Sequence, residues 1–334
     1  MIRFFRSIRK TLLFQDKTIR YFQYAIGEIV LVVIGILIAL QINNWNEARK
    51  LTNKTRAVMT EILDDLAYTI RISDDAINVY ERKDSLLENV LSGHVTADDY
   101  LNKREYRRLL FMGFNMDVTR NGFEKLIAMS GDLKNENDSL ISQLALHYGY
   151  TSDILLETKE VTKDISRQIN LRYSNTYPWF ATYNNDPDDA YIDYCMNDPL
   201  YRNEITLTQG ITNSYLIRLY YYRNSAIRMY YAVHDALASE EPIPDDFAYL
   251  RPAEPGELDN IIGRYRHQDD IVVVTESDIV DNSGRNLFLK VVGQDLEYED
   301  MRGRRLIFSR DENNEINQLL IRKNGVEIGR WIRE

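Results

Sequence analysis

The stretch that most constrains this chain is Tyr21 to Ile42, YFQYAIGEIVLVVIGILIALQI, whose 22 residues carry a single charge, Glu28. As an α-helix it reaches about 33 Å at roughly 1.5 Å per residue, enough for the roughly 30 Å hydrocarbon core of a bilayer. Ten Leu, Ile and Val fall between Ile29 and Leu40. Each favours insertion by about 0.3–0.6 kcal/mol, against a cost of about 3 kcal/mol for a carboxylate at the centre, and Glu28 lies near one end where that cost falls. The unbroken apolar run has only 12 residues, a length that also suits a buried core helix. Tyr21, Tyr24 and Trp45 stand where an aromatic belt meets the two membrane surfaces, and they favour the transmembrane reading.

Charge divides the chain in the same place. Residues 1–56 hold ten Lys/Arg against three Asp/Glu, a surplus of seven, so the rest carries −17 to reach the total of −10. An acidic body argues against a general nucleic-acid binder, which needs a basic face. Arg3, Arg6, Arg9, Lys10, Lys17 and Arg20 precede the span, and Arg49, Lys50, Lys54 and Arg56 follow it. That bias predicts a cytoplasmic N-terminus and an extracytoplasmic body. No small-x-small cleavage site follows the apolar run, so the span reads as an uncleaved signal anchor. Phe4, Phe5, Ile8 and Leu12 fall near one helical face with the basic residues around it, which predicts a basic amphipathic segment over 1–20 on the anionic leaflet. Gly27, Gly35 and Ala39 share a four-residue stripe that lets helix backbones approach. With Glu28 beside them they predict packing of the membrane helix, and homo-oligomers through it. The single Cys195 excludes an intramolecular disulfide and lies too far from the N-terminus to carry a lipid there.

Residues 43–238 read as a helical bundle. Val58, Ile62, Leu66, Ile70, Ile77, Tyr80, Leu87 and Leu91 recur near a period of 3.6 and stop at Ser92-Gly93. Thr96 with Asp99 is a capping signal for a shorter helix through about Phe111. Thr119 opens another that ends at Gly131, Ile141 to Ile169 marks a long helix, and Ile205 to Leu237 marks one more. Between the last two, residues 171–203 lose periodicity and gather aromatic residues. Tyr177, Trp179, Phe180, Tyr183, Tyr191 and Tyr194 form the candidate recognition surface, as side chains of a long irregular connection. The run Asn184 to Asp189, with Asp193, offers oxygen ligands of the kind Ca²⁺ takes, but it lacks the glycine and distal Glu of an EF-hand loop. Its Asn-Asp-Pro sequences read as turn initiators instead.

Residues 239–257 hold four of the seven prolines and read as an extended linker. Beyond it the period changes to 2. Ile271–Thr275, Asn286–Val292, Arg304–Arg310 and Ile316–Arg322 read as strands, Asn324-Gly325 as a hairpin turn, and Val326, Ile328 and Ile332 alternate, so 258–334 is a small antiparallel β domain. The fold class is a membrane-anchored α+β protein.

The run from Ala25 through Gly-Glu-Ile-Val-Leu-Val-Val-Ile-Gly to Asn-Asn-Trp-Asn-Glu47, preceded by Ile2-Arg-Phe-Phe-Arg, resembles the opening of a bacterial family of single-span membrane proteins of unknown function. Gly122-Phe-Glu-Lys-Leu-Ile-Ala-Met-Ser-Gly131 is similar to that family's second recurring element, so the likeness extends over about residues 1–150. It implies a membrane protein with a helical body and brings no activity, cofactor or catalytic residue. The segment from Gly263-Arg-Tyr through Phe308 to Ile316 and Asn324-Gly325 resembles the compact half-barrel that follows bacterial serine-hydrolase domains. Neither Ser-x-x-Lys nor Gly-x-Ser-x-Gly is present, so no nucleophile transfers.

His94, His147, His234 and His267 share no metal-ligand spacing, and no phosphate-binding glycine loop occurs. The sequence therefore predicts no cofactor, no metal and no catalytic residues. It predicts a non-enzymatic interaction subunit or scaffold that presents helical and β modules outside a bacterial inner membrane and binds envelope proteins. The alternative is an extracytoplasmic ligand-binding sensor that acts through a separate signalling partner.

Overall fold

The computed structural model describes residues 18–129, 131, 138–254, 256–276, 278–282, 284–323 and 325–334. Residues 1–17 of the basic segment expected over 1–20 lie outside them, as does Asn324 of the expected hairpin turn. The chain divides into two units, Met1–Ala57 and Val58–Glu334.

In the first unit the described residues belong to helix α1, Thr18–Leu91. Ile29, Leu31, Ile36, Leu37 and Leu40 are all more than half exposed, and Ile26, Ile42 and Trp45 likewise. The 22-residue span is thus one part of a 74-residue helix, with no break at Asn43.

The second unit contains the remainder of α1 and two packed modules. The helical module comprises the short helices α2 (Ala97–Asn102) and α3 (Arg104–Arg107), then α4 (Asn121–Met129) and α5 (Asp138–Leu146), and the long α6 (Ser152–Thr176), α7 (Asp189–Asn197) and α8 (Pro199–Ala236). The apolar stripe of α1 does what its spacing predicts: Val58, Ile62, Leu66, Ile70, Ile77, Tyr80 and Leu87 are buried. Thr96 and Asp99 form the expected capping box, with Thr96 N donating to Asp99 Oδ2 at 2.8 Å. The predicted helix through Phe111 splits into α2, α3 and a 3₁₀ turn, Leu109–Phe111. The predicted Ile141–Ile169 helix carries a π turn, His147–Thr151, between α5 and α6. Gly122 opens α4 against α1, where a Cβ would stand 2.8 Å from Ile62, and its amide donates to Asp65 Oδ2 at 2.9 Å. Only glycine permits that approach.

Residues 171–203 are more regular than their sequence suggests. α6 continues to Thr176, a 3₁₀ turn follows at Pro178–Ala181, and α7 and α8 begin within the segment. The second Asn-Asp-Pro is a helix start: Asp198 Oδ1 accepts from Leu200 N at 2.8 Å and Pro199 takes the first turn, where a missing N–H costs nothing.

The C-terminal module is a closed eight-strand antiparallel barrel rather than a half-barrel. Its strands are β2 (Gly263–His267), β3 (Asp270–Val274), β4 (Asp278–Asp281), β5 (Gly284–Val291), β6 (Glu297–Asp300), β7 (Arg305–Arg310), β8 (Ile316–Lys323) and β9 (Val326–Arg333). The order runs β5-β4-β3-β2-β9-β8-β7-β6, and β6 returns to β5 through Phe288↔Asp300 and Lys290↔Tyr298. Period 2 puts Tyr265, Val272, Phe288, Tyr298, Phe308, Leu319 and Trp331 inside. Val326, Ile328 and Ile332 take the outer face of β9, opposite to Trp331.

The proline-rich 239–257 segment is not a free linker. Phe247 and Leu250 are fully buried, the Phe247 ring meets Tyr230 edge-on at 4.9 Å, and strand β1 (Leu250–Arg251) pairs with β5. A buried ionic seam completes the docking of barrel on helices. Arg223 of α8 donates to Asp74 of α1 at 2.9 Å and to Glu299 of β6 at 2.5 Å, while Asn224 donates to Glu299 at 3.0 Å and to the Asp300 carbonyl at 2.9 Å. The Tyr220 ring lies on Gly303, in the turn after β6, where any side chain would collide.

Candidate functional site

The aromatic residues singled out in 171–203 come together, but mainly as a core. Trp179, Tyr183, Tyr191 and Tyr194 are buried, and Tyr177 and Phe180 are half-buried. As an open recognition surface this set is corrected. The rings were expected on an irregular connection, and instead the turn at Pro178 and helix α7 fold them against α2, α6 and α8. Trp179 is the hub, stacked on Tyr177 at 4.7 Å and meeting Tyr173 at 5.2 Å and Tyr191 at 5.1 Å. Such pairs add about 0.5–1.5 kcal/mol each beyond the area they bury.

Beneath the rings lies a group that sequence reasoning missed. Glu204 of α8 is buried, pairs with Arg172 of α6, and accepts from Tyr173 Oη at 2.6 Å and Tyr194 Oη at 2.9 Å. The signal was a carboxylate at a stripe position, between Tyr201 and Ile205. Burial pushes the Tyr194 hydroxyl up to about 12 and the Cys195 thiol up to about 12, so both stay protonated and unreactive at neutral pH.

What the cluster leaves at the surface is an open depression of about 520 Å³ lined by Tyr177, Trp179, Tyr194, Asp193, Asp198 and Pro199, among others. Its polar groups are used locally. Asp193 accepts from Asn197 Nδ2 at 2.7 Å, and Asp198 Oδ1 accepts from Leu200 N at 2.8 Å. Among the described residues, no group of three or more His, Cys, Asp or Glu is placed to hold a metal ion.

The other expected site is the membrane-helix face. Gly27, Gly35 and Ala39 are exposed and Glu28 is half-exposed, and a Cβ at Gly27 or Gly35 would meet nothing within 4 Å. One helix, near the N-terminus, is long and apolar enough to cross a membrane, with a mean hydropathy of 2.6 in its most apolar window and none of that window buried.

Residues 28–108 match the Family of unknown function (DUF6090). The match begins at the glutamate of the apolar run and ends just after α3, so it spans the exposed part of α1, the buried part, and the capped turn that reverses the chain. The Gly122 element and the barrel lie beyond it. No curated protein and no solved structure matches the chain.

Proposed function

We propose that the chain is a membrane-anchored, non-enzymatic interaction subunit, fixed by its N-terminal helix in a bacterial inner membrane and presenting the helical module and barrel to envelope proteins on the extracytoplasmic side. The observation that carries the reading is the unbroken apolar run from Ile29 to Leu40, exposed throughout. Water would penalise each of those side chains, whereas lipid accepts them without any protein partner. The lysine and arginine surplus before the span supports the orientation. The depression beside Trp179 is the partner-facing feature. Its ring faces and two carboxylates, Asp193 and Asp198, suit a basic segment, since cations gain from both aromatic faces and negative charge.

The test is mild crosslinking in membranes followed by purification of the full chain, paired with a reporter fused after Glu334. Recovery of a defined envelope complex that weakens in Asp193→Lys, together with extracytoplasmic reporter activity, supports the proposal. A chain that floats free of membranes after lysis without detergent or salt overturns it. A sensor is the second reading, favoured by α1 running unbroken from Thr18 to Leu91. Capture of a small ligand at the depression, with no protein partner recovered, favours it.

A further inference from the structure

Each of the three long helices of the body interrupts its apolar stripe with polar residues. On α1, Lys83 stands between Tyr80 of one apolar cluster and Leu86 of the next. On α6, Lys159 and Thr162 stand between Leu155 and Ile165, and on α8, Thr208 and Thr212 stand between Ile205 and Tyr215. Pairs above and below bracket these positions along the helices. Between α8 and α1, Gln209 donates to Glu88 at 2.7 Å on one side and the Tyr215 ring meets Tyr80 at 4.8 Å on the other. Between α6 and α8, Tyr173 donates to Glu204 at 2.6 Å above, and in the π turn that precedes α6, His147 Nδ1 lies 3.0 Å from Ser225 Oγ below. All five polar residues are more than nine-tenths buried.

The five side chains of the layer are donors; the carboxylates beside it, Asp84 and Glu204, face Asn213 and Lys323 in the first case and Arg172 in the second. Lys83 Nζ donates to the Met112 carbonyl at 2.7 Å, which occupies one of its three protons. Lys159 Nζ donates to the Met116 carbonyl and lies 3.2 Å from Asp117 Oδ1, a carboxylate that is 82% exposed. Thr162 donates to the carbonyl of Thr158 at 2.9 Å. The Thr208 and Thr212 hydroxyls have no hydrogen-bond partner among the described residues. Thr206 and Ser214, on the exposed side of the same helix, instead bond back to the carbonyls four residues earlier. A buried charge needs a counter-charge and hydrogen bonds, and a buried hydroxyl needs a partner.

We propose that this layer binds a small inorganic anion, a halide of chloride size, held by the Lys83 ammonium and the hydroxyls of Thr208 and Thr212, with Lys159 adding a second positive charge. A halide only accepts hydrogen bonds, which suits a set made almost wholly of donors. Its single charge balances Lys83.

The test uses the full chain in detergent at fixed ionic strength, with gluconate replaced stepwise by bromide. The parent chain should gain melting temperature saturably, by about 3 °C at tenfold excess over Kd. Thr208→Val/Thr212→Val keeps the side-chain shapes and should weaken that response about tenfold, as loss of the hydroxyl donors requires. Lys83→Met should abolish it. Crystals grown in bromide should show an anomalous peak between α1 and α8 at the level of Thr212. An equal bromide response in the parent and the double-valine chain, or bromide peaks at the surface alone, overturns the proposal. Should Lys83→Met fail to fold, the double-valine chain and the anomalous map still decide it.

Discussion

Two regions of this chain gather large apolar side chains and treat them in opposite ways. From Ile26 to Ile42 the residues are aliphatic, and Leu31 and Leu37 are 70% and 59% exposed. From Tyr177 to Tyr201 they are aromatic, and Trp179 and Tyr191 are 4% and 2% exposed. The aliphatic run lies on a single helix, which cannot fold back to cover its own side chains. The aromatic run is folded back by Pro178, Asp188 and Asp198 onto α6 and α8, so its rings cover one another. Apolar content alone does not decide burial; the turns that bring side chains face to face do.

That contrast can be attacked from either side, and the largest effect is expected in the aliphatic region. Ile34→Lys/Leu37→Lys places two charges at mid-span, at about 3 kcal/mol each, and should move the chain from the membrane pellet to the soluble fraction. Retention in the pellet would show that something other than lipid covers this helix. In the aromatic region, Trp179→Ala should lower unfolding free energy by about 4 kcal/mol, as measured by urea denaturation in detergent, and should leave membrane retention unchanged. Next in size, Gly122→Ala forces a methyl group into Ile62 and should cost about 2 kcal/mol in the same assay. The smallest effect concerns pH. Burial lowers the Lys83 pKa from 10.5 to about 8. Between those values the unfolded chain holds a proton that the folded chain has released, so stability rises with pH across pH 8 to 10.5, by at most about 1.4 kcal/mol per unit. Below pH 8 both states are charged and the slope vanishes. In halide-free buffer the parent chain should therefore gain on Lys83→Met between pH 8 and 9. A flat difference would mean that the ammonium is paired.

Much of this architecture was legible. The stripe of α1, the capping box at Thr96 and the strands β3, β5, β7, β8 and β9 follow from period and cap chemistry, because those signals are local. The short strands β2, β4 and β6 were missed, since four or five residues with buried Glu299 and Asp300 do not alternate cleanly. Closure of the barrel was also missed, because the pairing of Phe288 with Asp300 is set by three-dimensional register. The candidate surface was misread because the turns that fold its Tyr and Trp rings onto one another leave no period in the sequence to read. The gaps in the stripes were the unread signal. Ser73 fills the gap between Ile70 and Ile77, Lys83 that between Tyr80 and Leu87, and Thr208 and Thr212 that between Ile205 and Leu216, all of them buried.

Return of β6 to β5 has a consequence for how other molecules can engage the C-terminal module. Among the described residues every strand from β2 to β9 has a neighbour on both flanks, although β9 meets β2 only at Tyr265↔Arg333 and Arg266↔Ile332, so closure leaves short stretches of open main chain rather than a full free edge. A visiting peptide or a neighbouring copy would find only those short stretches to lie along, so an added ribbon gains far fewer main-chain bonds here than on an open sheet.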